Sequence, residues 1–256
     1  MNKNANQLFT VELMRFKSPL IEAILLKRSF RFLAEVTLKN KKRRMLYCPN
    51  LGSLPHCDVL GSRVWFSNPN RLSQGYLDIW ELTEVDGGWL VFINQGYAGI
   101  LVREAIEYHR IPELEGFRFL QSPMMPSFGH GIEMLLKENG EQCFIHSEPV
   151  LSASVRNEGY FPEEKGMGIS ALEELMALKA AGHRAILFYC IQHNGITCLR
   201  PADNIDPLYG IRLREAVTLG VECLAYRTHI SLQEVTLGSA VPVLLTQETL
   251  GIKSGN

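Results

Sequence analysis

The chain has no uninterrupted apolar run of membrane-spanning length, and a transmembrane helix is excluded on that ground. Residues 1–10 are polar and no basic stretch leads into an apolar block, so a secretory leader is not expected either. Charge of one sign is also missing. Lys and Arg number 26 against 27 Asp and Glu, a formal net charge of −1, which argues against a protein that coats nucleic acid through bulk charge. Any nucleic-acid surface must therefore be a local patch. The six cysteines show neither C-x-x-C spacing nor a compact framework, and they read as reduced core residues of a cytoplasmic protein. Internal repeats and low-complexity segments are absent. Ser147 and Ser154 lack a nucleophile-elbow context, and the pairs Gly129/Gly131 and Gly166/Gly168 are too short for a phosphate loop.

What is present fits a compact chain of 256 residues, 46% hydrophobic, with enough apolar content for two modest cores. The first part reads as β-rich. Residues 30–38 alternate, with Phe30, Phe32, Ala34, Val36 and Leu38 on one side, and 44–48 can return antiparallel to them. Further strands fit 63–67, 77–84 and 89–93, separated by turn residues such as Asn68-Pro69-Asn70 and Asp86-Gly87-Gly88. Short strands with this punctuation predict a small barrel, of which the oligonucleotide-binding type is one form. After Asn94 the character changes to alternating strand and helix. Helices are predicted over 99–108, 169–181 and 208–219, and strands over 117–121, 131–137, 143–147, 184–191, 221–229 and 232–237. Ser170 with Glu173 reads as a capping box, Gly182 and Gly220 as helix stops, and His193-Asn194-Gly195 as a hairpin turn. The resulting division is a polar tail over 1–19, a barrel over 20–95 and a mixed domain over 96–256.

Glu133 sits on an apolar run, and His146-Ser147-Glu148 lies on the next. This is the layout of a metal-dependent nuclease core, in which one strand supplies an acid and the next an acid-x-lysine pair. There the carboxylates hold Mg²⁺ and the lysine orients the attacking water. Here an imidazole replaces the second acid and Glu148 replaces the lysine. Two readings of these residues stand side by side. Glu133, His146 and Glu148 form a chemically acceptable divalent-metal set; alternatively, His146 packs on a partly open sheet face while Glu148, before Pro149, ends its strand in solvent. Cys48 and Cys57 bracket His56, but no fourth zinc ligand follows at a recognisable spacing. The run Lys39, Lys41, Lys42, Arg43 and Arg44 concentrates cations at a hairpin tip, suited to a phosphate backbone or to a solvated turn. Arg28, Arg31, Arg63 and Arg71 extend that patch, and Phe30, Tyr47, Trp65 and Trp80 are candidates for base stacking or for the core.

Several segments, in order from about residue 20 to 245, carry a resemblance: Arg31-Phe32-Leu33-Ala34, Cys48-Pro49-Asn50-Leu51-Gly52-Ser53, Leu101-Val102-Arg103-Glu104-Ala105-Ile106, Ile111-Pro112-Glu113-Leu114, Ala180-Ala181-Gly182-His183-Arg184-Ala185 and Asp206-Pro207-Leu208-Tyr209. Together they resemble the sugar fermentation stimulation protein family. The resemblance implies an α+β chain, with an N-terminal oligonucleotide-binding-type β-barrel followed by a restriction-endonuclease-like α/β domain. It also implies DNA binding, with RNA open as well. The family's acids and lysine fall on Glu133, His146 and Glu148, and its phenylalanine-proline-aspartate on Phe161-Pro162-Glu163. The nuclease-like site is thus degenerate. The expectation is a DNA-binding protein without ordinary nuclease activity and without a resident cofactor, its contacts led by Arg31, Lys39, Lys41, Lys42, Arg43 and Arg44. The alternative is a metal-dependent phosphodiesterase with Glu133, His146, Glu148 and Glu163 in a rearranged site.

Overall fold

A computed structural model describes residues 14–68, 77–121, 134–154 and 156–246. No helix among them is long and apolar enough to cross a membrane. The first domain is built from β1 (Ile21–Ser29), β2 (Leu33–Thr37), β3 (Arg43–Tyr47), β4 (Arg63–Ser67) and β5 (Asp78–Val85). β1 pairs antiparallel with β2 and with β4, β2 with β3, and β4 with β5. A short parallel contact, Leu46↔Asp78 and Tyr47↔Ile79, closes the circle. This is the closed five-stranded arrangement of an oligonucleotide-binding barrel. A sixth strand, β6 (Trp89–Phe92), extends β5 on its outer side. The barrel is filled by alternate side chains, among them Leu25, Ala34, Val36, Leu46, Val64, Phe66, Trp80 and Val91, all fully or nearly fully buried.

β1 escapes a reading by alternation because its pairing with β2 shifts between Leu25 and Lys27. The bulge breaks the period-two pattern that would have exposed it. The strand predicted over 30–38 is correspondingly shorter, since residues 30–32 form the turn between β1 and β2. Phe30 and Arg31 take left-handed φ values of 53° and 64° in that turn. Such positions are ordinarily given to Gly or Asn, so no turn signal marked them.

The second domain follows as α1 (Ala98–Glu107), β7 (Arg118–Gln121), β8 (Met134–Glu138), β9 (Glu141–Val150), β10 (Glu158–Phe161), α2 (Ile169–Ala180), β11 (Arg184–Ile191), β12 (Cys198–Pro201), α3 (Pro207–Thr218), β13 (Glu222–Ile230) and β14 (Val235–Ala240). Its main sheet has the order β14-β13-β11-β9-β8-β7, with β9, β11 and β13 parallel. α1 presents Ala98, Leu101, Val102, Ala105 and Ile106 at helical spacing to one sheet face, where Cys143, Ile145, Ile186 and Phe188 point. α2 and α3 cover the other face, where Leu187, Tyr189 and Ile191 meet Leu172, Leu175, Tyr209 and Leu213.

Two expectations are corrected here. Asn194-Gly195 does not make a hairpin, because both edges of β11 are taken by β9 and β13, and β12 pairs instead with β10. Asn194 bonds through its side chain to both backbone groups of Ile230, and a Cβ on Gly195 would lie 2.7 Å from the Trp89 ring. That glycine is required by close packing rather than by a turn. Ser170 does not cap α2: the cap residue is Gly168, left-handed at φ 74°, with no side-chain capping bond. Gly182, by contrast, stops α2 as expected, at φ 90° with His183 N–H donating back to Leu178 O at 3.1 Å.

The two domains share their cores. Trp65, Leu82 and Phe92 of the barrel pack with α1 and the main sheet, while Leu151, just past β9, enters the barrel core. The backbone is joined as well: Phe92 N–H donates to Gln192 O at 2.9 Å and Asn194 N–H to Leu90 O at 3.0 Å, flanking a bridge between Val91 and His193.

Candidate nucleic-acid interface and nuclease-like site

His146 and Glu148 stand two apart on β9, on the face turned toward α2 and α3, opposite Leu187 and Tyr189 of β11. β9 continues through Pro149 to Val150, so Glu148 does not end the strand in solvent as the plainer sequence reading had it. Its side chain is only 12% exposed, and its Oε1 is hydrogen-bonded to His146 Nε2 at 3.0 Å. A Cβ on Gly168 would come within 3.1 Å of Glu148 Oε1, which places this carboxylate at the N-terminus of α2. An anion is favoured there by the helix dipole. Behind it, the hydroxyls of Tyr189 and Tyr209 bond to each other in full burial. Burial pushes both phenols well up, and the nearby Glu148 charge adds to the rise.

Glu133 lies outside the described residues, as does Arg71. β8 pairs with β9 from Met134↔Ile145 onward. Glu163 has no hydrogen bond to His146 or Glu148. It accepts a bond from Ser152 Oγ at 2.6 Å, and its other oxygen faces the barrel turn, 4.0 Å from where a Cβ on Gly52 would stand. Burial holds its carboxyl above the ordinary range, with the neighbouring Glu164 charge adding to it. Among the described residues no three His, Cys, Asp or Glu side chains are grouped to hold a metal ion. The Cys48, His56 and Cys57 set falls under the same statement. Both cysteines are in the barrel core, and burial raises both thiols.

On the barrel, the tip between β2 and β3 carries the cations. Three are engaged by carboxylates on adjoining strands: Lys39 with Glu22 at 3.4 Å, Arg43 with Glu35 at 2.9 Å and Arg44 with Asp78 at 3.6 Å. Lys41 and Lys42 have no such partner among the described residues and are exposed. Arg31 reaches across to the second domain, pairing with Glu164 at 3.4 Å and donating to Leu51 O at 3.2 Å. Arg28 is spent internally. Its guanidinium, 7% exposed, donates to Arg31 O, Asn50 O, Gly52 O and Ser53 O and pairs with Asp58. Arg63 is held by Glu22 and Glu84 and lies over the Trp65 ring. Of the aromatic candidates, Trp65 and Trp80 are core, whereas Phe30 is 79% and Tyr47 36% exposed. Phe32, Met45 and Leu51 join them at the surface, and Lys27 is exposed without an ion pair among the described residues. Sequence alone does not single them out, because which barrel side chains face outward depends on how β1, β2 and β3 pair.

Residues 26–93 match the SfsA N-terminal OB domain and residues 96–234 the sugar fermentation stimulation protein RE domain. The chain belongs to the sugar fermentation stimulation protein family. Relatives named sugar fermentation stimulation protein homolog include one from Teredinibacter turnerae, 39% identical over 233 residues, and one from Pseudoalteromonas atlantica, 36% identical over 237 residues. In both cases the match spans 91% of this chain and all of the relative. The solved structure of Pyrococcus furiosus SfsA in complex with Ca²⁺ shares the fold, with a TM-score of 0.78 at 22% identity, over 91% of this chain and 99% of that one.

Proposed function

We propose that this family member is a DNA-binding protein whose barrel makes the contact and whose nuclease-like domain does not hydrolyse DNA. The observation that carries the reading is the pair of exposed lysines, Lys41 and Lys42, at the tip of the β2–β3 hairpin, neither with an ion-pair partner among the described residues. Oligonucleotide-binding barrels take their ligand across that face. Local charge can act here despite a net charge of −1, because phosphate attraction depends on the cations at the contact. The other three cations of the tip, Lys39, Arg43 and Arg44, contribute less while their carboxylate partners compete for them.

The chemistry of β9 supports catalytic silence. The P. furiosus relative was solved with Ca²⁺, a cation that takes about 6–8 oxygen ligands. On β9 an imidazole stands where the family has a carboxylate, and it is bonded to Glu148, which takes away oxygen ligands such an ion prefers. Glu148 also sets a negative charge where the family lysine would face a phosphate, which works against stabilising the developing negative charge.

Two measurements test the reading. A salt series should give a linear fall in log affinity for DNA, and Lys41→Ala with Lys42→Ala should flatten that slope by roughly 1–2 units. An unchanged slope would reduce the tip to a solvated turn. Incubation of plasmid and oligonucleotide with Mg²⁺, Mn²⁺ or Zn²⁺ in turn should leave both uncut. Metal-dependent cleavage that disappears in Glu133→Ala and Glu148→Ala would put the rearranged-site phosphodiesterase first.

A further inference from the structure

Phe30 and Phe32 form an exposed aromatic pair on this surface. They are 79% and 42% exposed, and their rings stack on each other with centroids 6.1 Å apart and planes 30° from parallel. Their turn holds two successive non-glycine residues in left-handed backbone. It is kept in that form by the buried Arg28, whose guanidinium ties Arg31 O to the loop at Asn50, Gly52 and Ser53. A strained turn fixed by a buried cation and used to display an aromatic pair is a built feature, since strain of this kind persists only where its surroundings enforce it.

The strand register shows what lies beside the pair. Ser29, Leu33 and Tyr47 are aligned across β1, β2 and β3, and Lys27, Glu35 and Met45 form the next row. Thr37 and Arg43 come after them, and the tip with Lys41 and Lys42 ends the hairpin. On β3 the alternate residues Tyr47, Met45 and Arg43 are exposed and span about 13 Å. Ring faces at one end, apolar and aromatic surface between, and exposed lysines along the side and at the far end suit unstacked bases with their phosphates. A duplex keeps its base faces covered and cannot use the Phe30–Phe32 pair.

We infer that this face binds single-stranded nucleic acid, with a base stacked on the Phe30–Phe32 pair, Tyr47 beside it, and the backbone led toward Lys41 and Lys42. The inference rests on the DNA-binding reading above and names the form of nucleic acid taken. Binding of a labelled oligothymidine, its RNA counterpart and a duplex of equal length is measured with the full chain by fluorescence anisotropy. The wild type should prefer the single strands. The variant with Phe30→Ala and Phe32→Ala should lose roughly tenfold or more of single-strand affinity, with duplex affinity and the salt slope unchanged. Phe30→Leu with Phe32→Leu, which keeps apolar bulk and removes the rings, should show a similar loss. Unchanged single-strand affinity in the alanine variant, alongside a loss in the Lys41→Ala, Lys42→Ala variant, would overturn the stacking site and leave DNA binding standing. Full recovery in the leucine variant would overturn it as well. Failure of the wild type to bind any of the three probes would remove both readings. Self-association of the wild type that is abolished by the alanine pair, without an effect on single strands, would assign the face to a second copy instead.

Discussion

Glu81 and His193 show how single residues set the response of this protein to pH. Glu81 is the extra residue of the bulge where β5 meets β4, since Trp65 and Phe66 oppose Leu82 and Trp80. Its Oε1 accepts a bond from Ser67 Oγ at 2.7 Å, but its Oε2 is buried with no partner. Burial pushes its carboxyl up to about 7. Its folded value thus lies above the unfolded one, and the folded state holds the extra proton between about 4.5 and 7. Stability from this group is complete below pH 4.5 and is lost as pH rises through about 7, by about 3 kcal/mol. His193 has the opposite sign. Burial lowers it from 6.5 to about 4, so its contribution is present above pH 6.5 and lost as pH falls toward 4. Between pH 4.5 and 6.5 the two slopes oppose each other. Urea unfolding of Glu81→Gln at pH 5 and pH 8 should therefore show a smaller fall in stability with rising pH than the wild type shows. Parallel behaviour of the two proteins would contradict a neutral Glu81. Neither residue could be singled out from the sequence, because nothing local to Trp80-Glu81-Leu82 announces a bulge.

At the scale of elements, the join between β9 and α2 is tightly constrained at Gly168. Gly168 is at φ 74°, and a Cβ there would stand 2.8 Å from the Tyr209 ring, 3.0 Å from Phe161 and 3.1 Å from Glu148. Gly182, at the other end of α2, has φ 90° with open space around it. Gly168→Ala should cost about 2–4 kcal/mol, combining left-handed strain with overpacking, and Gly182→Ala only the strain, about 1–2 kcal/mol. The shift in urea midpoint of each variant measures this, and equal shifts would mean that the α2 N-terminus gives way easily. Elements with clean periodicity, such as α1 and β11, were legible in the sequence to within a residue or two. β10 was not, and β12 falls on the second arm of the expected hairpin but with another partner, because each has four residues and pairs across a long separation with the other. The apparent Asn-Gly hairpin misled for a related reason: a two-residue motif says nothing about which strands are already occupied. His146 and Glu148 were found by spacing, but their mutual bond, and the place of Glu148 at a helix N-terminus, depend on the fold around them.

The whole molecule should unfold as one unit. Trp65, Leu82 and Phe92 are barrel residues buried by the second domain, and Leu151 is a second-domain residue buried in the barrel. Separating the parts would expose these large apolar side chains at about 1.5–3 kcal/mol each, comparable in sum with the stability of a small domain. Thermal unfolding followed by near-UV and far-UV circular dichroism should give coincident transitions. A fragment ending at Asn94 should be unfolded or aggregated. Two resolved transitions, or a stable fragment, would show that the shared core is dispensable. The sequence marked the two domains through the change of pattern after Asn94, but that they share a core was invisible, since contacts between distant segments leave no periodicity.

The strand-like join between Leu90, Phe92 and residues 192–194 limits how the two lobes can move against each other. A protein that clasps a ligand between two lobes needs a hinge whose opening leaves backbone groups free to find water. Here opening would break ladder bonds and uncover a hydrophobic seam together. The Arg31–Glu164 pair straddles the same two lobes from the surface. This chain is therefore not a jaw. On the proposed function it would meet nucleic acid as a rigid body with a fixed outer rim, and any adjustment to fit would fall on the ligand, which would favour the more pliable single strand over a stiff duplex.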